Sequence, residues 1–122
     1  MEINYDDFNH TFKGYIGNVK VCELNIFTEN EDCDDEYYKE PRYWLNGIYT
    51  TEGYGKNGYA TLLIQEAINV YGELYVSTAT EYEHKQRGDD TARQLTDDGA
   101  ILVNRLKAKG ILKSEWFINP FL

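Results

Sequence analysis

Three things are scarce in this 122-residue chain: basic side chains, cysteines and long apolar runs. Lys and Arg number 12 against 21 Asp and Glu, giving a formal charge of −9 and an isoelectric point near 4.6. Such a surface repels phosphate backbones and anionic headgroups. That sets aside a broad nucleic-acid-binding face and adsorption to an anionic membrane. No apolar stretch approaches the roughly 18 residues that a spanning helix requires, so no segment is expected to cross a bilayer. Met1-Glu2-Ile3-Asn4-Tyr5-Asp6-Asp7 has neither a basic start nor an apolar stretch, so no signal peptide is expected. Cys22 and Cys33 are too few for a disulfide framework, and a reducing, cytoplasmic setting is the default expectation. The sequon Asn9-His10-Thr11 means nothing without secretion.

What is present is ample apolar material. The chain is 42% hydrophobic and 15% aromatic, with 11 tyrosines, enough to bury a core. Its length fits one domain, 1–122, and no repeat or low-complexity segment interrupts it. The charge is uneven: residues 1–42 hold 11 acids and 4 bases, the remainder 10 and 8.

The front third reads as β-rich. Val19 to Phe27 alternates with both faces partly apolar, and Arg42 to Thr50 is aromatic and β-branched. Between them, Thr28 to Glu40 reads as an acidic polar loop. A glycine-rich turn, Gly53-Tyr54-Gly55-Lys56-Asn57-Gly58, then opens onto a helix. Tyr59, Leu62, Leu63, Ala67 and Val70 mark its stripe, Ile64 and Ile68 widen it, and Gly72 ends it. Leu74 to Ala79 predicts a short strand. A second helix should run from an N-cap at Thr96, with Asp97 and Asp98 in its first turn, to Lys109. Its buried side is Leu102, Val103 and Leu106, and Gly110 with Ile111 forms its stop. Trp116-Phe117-Ile118 should be a final strand, closed by Pro120.

Strand, glycine turn and helix together expose backbone N–H groups at the positive end of a helix dipole, an anion site that needs no basic side chain. Gly53-x-Gly55-x-x-Gly58 matches the dinucleotide fingerprint, but Glu73 precedes the next strand where a ribose-binding acid should end it. A P-loop fails because Tyr59-Ala60 follows Gly58. A purely structural tight connection is the plain alternative.

The stretch from Tyr43 to Ala79 resembles motif A of the GNAT-type N-acetyltransferases, whose Arg/Gln-x-x-Gly-x-Gly/Ala links a strand to a helix. Gly55-Lys56-Asn57-Gly58-Tyr59-Ala60 occupies that window, with Gly55 where Arg or Gln is usual and one residue extra in the turn. The resemblance covers about the last two-thirds of the chain. The family's usual first strand and following helices are missing or cut short, as in short members that are often phage- or prophage-encoded. It implies an α+β fold (α/β by some schemes), with a mostly antiparallel sheet, a central splayed parallel strand pair and two main helices. It implies acetyl-CoA as co-substrate, bound by Ile48, Tyr49 and Thr50 of the strand and by Gly55, Lys56, Asn57, Gly58, Tyr59 and Ala60 of the turn.

Acyl transfer to an amine needs a deprotonated nucleophile, a donor for the thioester carbonyl and an acid for the thiolate. The resemblance points to Tyr82 as that acid, with Ser77 as substitute, and to Glu81, Glu83 or His84 as base. Each also reads as an ordinary surface residue, and the strand Tyr43–Thr50 carries no carboxylate. The acidic run Glu29 to Glu36 fails as an EF-hand because Tyr37 stands where glycine is required, and Cys33 has no nearby partner for zinc. No metal is expected. That run reads as a solvated connection, or as a funnel for a cationic acceptor.

Two functions follow. One is an N-acetyltransferase acting on a small-molecule or protein amine. The other is a catalytically inactive, inhibitory binding protein on the same scaffold, using an acidic, aromatic surface. A homodimer is a candidate assembly in either case.

Overall fold

The computed structural model describes residues 1–29, 40–55, 57–79 and 97–121. Four antiparallel strands open the chain as a meander in the order β1-β2-β3-β4: β1 Glu2–Asp6, β2 Thr11–Ile16, β3 Val19–Glu29 and β4 Arg42–Thr50. Helix α1, Tyr59–Tyr71, follows and packs on β2, β3 and β4. Strand β5, Val76–Ser77, then precedes helix α2, Asp97–Ala108. A 3-10 turn, Ser114–Trp116, leads into strand β6, Phe117–Ile118, parallel to β5. The described residues are thus mixed α and β, with an antiparallel sheet, a small parallel pair and two helices.

The burial pattern explains why these residues pair. On β3, Cys22, Leu24 and Ile26 are buried while Glu23, Asn25 and Phe27 are half-buried, so one face is core. Their partners Phe12 on β2 and Leu45 on β4 are also buried. Leu63, Ile64 and Ala67 of α1 close this layer, and Val103 and Leu106 of α2, with Leu112 and Trp116, join the same core.

Both helices stop by glycine chemistry. Gly72 adopts φ 79° and donates its N–H to the Ile68 carbonyl. At Gly110, φ 78°, a pair of bonds closes α2: Gly110 N–H to Lys107 O and Ile111 N–H to Leu106 O, a Schellman stop. Among the described residues no helix is long and apolar enough to cross a membrane.

The structure corrects several expectations. The chain begins with a strand that composition hid: β1 alternates Ile3 with polar residues and lies at the sheet edge. Thr28 and Glu29, expected in the loop, extend β3 and pair with Tyr43 and Arg42. The apolar stripe of α1 is rotated. Leu62 and Val70 are exposed, and the buried line runs through Leu63, Ile64 and Ala67 to half-buried Tyr71. The strand expected over Leu74–Ala79 is regular only at Val76–Ser77, and Trp116 belongs to the 3-10 turn. The second helix begins at Asp97 and ends at Ala108, and Thr96 lies outside the described residues.

Candidate functional site

The turn between β4 and α1 is tied down at its base and open at its tip. Thr51 N–H donates to Val21 O at 2.9 Å and its hydroxyl to Lys20 O at 2.6 Å, fixing the end of β4 against β3. Tyr54 packs on the core, its N–H bonded to Thr51 O and its carbonyl accepting from Asn57 Nδ2. Beyond these anchors, a Cβ placed on Gly53, Gly55 or Gly58 meets nothing within 4 Å, so no described side chain plugs the tip.

Gly58 enters α1 with φ 77°, a left-handed conformation that glycine adopts without strain. The helix start carries no side-chain cap and no acidic residue in its first turn. In a chain with 21 acids, the first turn thus offers no carboxylate of its own to the positive end of the dipole. The amides of Tyr59, Ala60 and Thr61 donate to nothing among the described residues, and the first intrahelical bond is Leu62 N–H to Gly58 O. Of the turn residues expected to hold a cofactor, Gly55, Asn57, Gly58, Tyr59 and Ala60 meet here. Lys56 lies outside the described residues.

Beside this turn, β4 changes neighbours. Tyr75 bridges β4 in parallel: Leu45 N–H donates to Tyr75 O and Tyr75 N–H to Tyr43 O, each at 2.8 Å. From Asn46 onward no described residue continues that pairing, and β5 bonds to β6 instead. On its other side β4 stays paired with β3 to Thr50, but the register skips Asn46, because Asn25 faces Gly47 and Ile26 faces Leu45. Ile48, Tyr49 and Thr50 therefore lie on a strand segment whose far edge has no described partner. Ile48 packs partly on the core, and Tyr49 and Thr50 are exposed.

The expected proton-transfer groups fare less well. Ser77 is buried on β5, and its hydroxyl accepts the Ala79 N–H at 3.2 Å. Tyr82, Glu81, Glu83 and His84 lie outside the described residues, as do most of the acidic run 29–36 and Cys33. Cys22 is buried and has its thiol pKa raised by burial, its Sγ 3.7 Å from Met1 Sδ.

Sequence reasoning missed three arrangements. Trp44 is fully buried, with its indole N–H on Glu29 Oε2 at 2.7 Å. Its ring lies 5.5 Å from that of Tyr75, over which Arg42 also sits. Burial first, then Glu73, pushes the Tyr75 phenol above its ordinary value. Tyr71, at the far end of α1, stacks on Tyr43 at 4.1 Å and meets Phe12 and Tyr5 edge-on. The third is Asn46, which no periodicity marks; its only signal is an Asn-Gly pair inside an otherwise aromatic and β-branched strand. Compared with protein-family models, curated proteins and solved structures, the chain matches none.

Proposed function

We propose that the chain is an acetyl-CoA-dependent N-acetyltransferase of GNAT-like fold, acting on a small-molecule or protein amine. The observation that carries this reading is a juxtaposition. A helix start with no side-chain cap and three amides unpartnered among the described residues follows a strand whose outer edge has no described partner from Asn46 to Thr50. The first suits a diphosphate, because N–H groups and dipole act together without a basic side chain. The second suits an extended arm bearing secondary amides, since a free strand edge offers alternating donors and acceptors.

Gly58, Tyr59, Ala60 and Thr61 would hold the diphosphate through their backbone, and Ile48, Tyr49 and Thr50 would hold the arm. Bound acetyl-CoA supplies the acyl group as a thioester. Backbone N–H groups of β4 are the available donors toward an acyl oxygen. Tyr82 remains the proposed acid and Glu81, Glu83 or His84 the proposed base; the buried, bonded hydroxyl of Ser77 suits the acid role less. The net charge of −9 favours a cationic acceptor, and two cysteines without a disulfide framework suit a reducing, cytoplasmic setting.

Calorimetry with acetyl-CoA tests the reading, followed by thiol release in the presence of spermidine, a lysine peptide and an amino sugar. Binding with turnover on one of these amines supports it. No heat at millimolar acetyl-CoA removes it.

A second reading, an inactive binding protein, draws on one observation. Phe8 is 87% exposed on the β1–β2 turn. The turn is fixed by Asp6, whose carboxylate accepts from Phe8 N–H, Asn9 N–H and Asn9 Nδ2. An aromatic ring held out on a rigid acidic turn suits a basic partner with an apolar socket. Binding of acetyl-CoA without turnover on any amine favours this reading.

A further inference from the structure

We infer that Asn46 is a binding residue for the acyl carrier, its side-chain oxygen accepting a hydrogen bond from an amide N–H of the carrier's pantetheine arm. This rests on the acetyl-CoA reading and adds a side chain to what was a backbone site. Three features coincide at Asn46. It is the residue that the β3–β4 register skips. It directly follows Leu45, whose N–H makes the last described bond from β4 to the β5 side. Its Oδ1 is buried and has no hydrogen-bond partner among the described residues.

A buried carbonyl oxygen without a donor destabilises a fold, and an apolar side chain of similar size would avoid that penalty. The only other such atom among the described residues is Thr28 Oγ1. Thr28 pairs with Tyr43, where β4 is still bonded to Tyr75, so it does not sit at the opening. The bulge is also held in place. Gly47 leaves the room that the Tyr49 ring fills, with the phenol oxygen 2.8 Å from where a Cβ would stand. Asn46 as a whole is half-buried, while its side-chain oxygen is enclosed. An acceptor already stripped of water loses no hydration when it meets a ligand donor, which makes it a strong anchor for an amide.

The test compares two ligands on three proteins. CoA carries the arm; adenosine 3′,5′-diphosphate lacks it. Wild type, Asn46→Leu and Asn46→Ala are titrated by calorimetry with each, and melted without ligand. The expected result is about a tenfold loss of CoA affinity in both variants, with adenosine 3′,5′-diphosphate affinity unchanged and the Asn46→Leu melting temperature at or above wild type. CoA affinity within twofold of wild type in both variants overturns the inference and leaves the acetyl-CoA reading standing. Equal losses for both ligands, or a lowered melting temperature with CoA affinity kept, also overturn it and assign Asn46 to the fold. A wild type that binds no CoA ends both.

Discussion

Tyr71 shows how much one side chain can join. Its hydroxyl lies 2.7 Å from that of Tyr5 and 3.2 Å from His10 Nδ1, and its ring stacks on Tyr43, so β1, the β1–β2 turn and β4 are all fastened to the end of α1. Tyr71→Phe keeps the stack and loses the hydroxyl; urea unfolding should show a loss of about 1 kcal/mol. Tyr71→Ala loses the ring as well and should cost about 3 kcal/mol. Equal stability of wild type and the Phe variant would mean the hydroxyl bonds contribute nothing. Among the described residues, the carboxylates of Asp6 and Glu23 have lowered pKa values. The side-chain amide of Asn9, then its backbone N–H, holds Asp6 below the ordinary carboxylate range. Burial pushes Glu23 up, but the ion pair with Lys20 at 3.1 Å and the bond from Asn25 win, and its pKa is lowered. A depressed carboxylate stabilises the fold above its unfolded pKa near 4 and loses that contribution as pH falls through the folded value. Melting temperature should therefore stay level from pH 7 to about 5 and drop below about 4. Asp6→Asn should flatten that drop, and an unchanged acid slope would remove Asp6 from it.

At the scale of elements, the glycine turn separates conformation from contact. Gly58 and Gly53 both have positive φ, 77° and 88°, and both face open space. Leucine at either position should cost about 1–2 kcal/mol for the left-handed backbone, with no clash to add. Only Gly58→Leu places a side chain at the helix start, so it should abolish acetyl-CoA binding while Gly53→Leu keeps it. Calorimetry on the pair, with circular dichroism as the check on folding, reads the difference; matched affinities would move the diphosphate away from α1. The same elements show what pattern reading can see. Gly72 and Gly110 were legible because a left-handed stop needs glycine whatever packs around it. The true face of α1 was not, because Leu62 and Val70 share the spacing of Leu63 and Ala67, and only the sheet beneath decides which line is covered.

For the whole molecule the decisive quantity is a charge of −9 around the proposed anion site of backbone amides. Where basic side chains bind a polyanion, salt weakens the complex by screening attraction. Here the long-range field is repulsive and the attraction is short-range, so affinity for acetyl-CoA should hold or rise between about 50 and 300 mM salt. A steep fall in affinity with salt, read by the same calorimetry, would point to cationic side chains as the binding groups.

The sequence by itself determined the elements whose causes are local. These are β4 with its aromatic and β-branched run, the glycine turn, the two described helices, their stops, and the strongly negative net charge. Tertiary structure alone decided what depends on neighbours distant in the chain. It decided that Ile3 and Tyr5 form an edge strand, that Tyr71 gathers rings from β1, β2 and β4, and that from Asn46 onward β4 has no described partner on the β5 side. A strand's amides look identical in sequence whether paired or free, and only the path of the partner strand leaves a donor or an acceptor waiting.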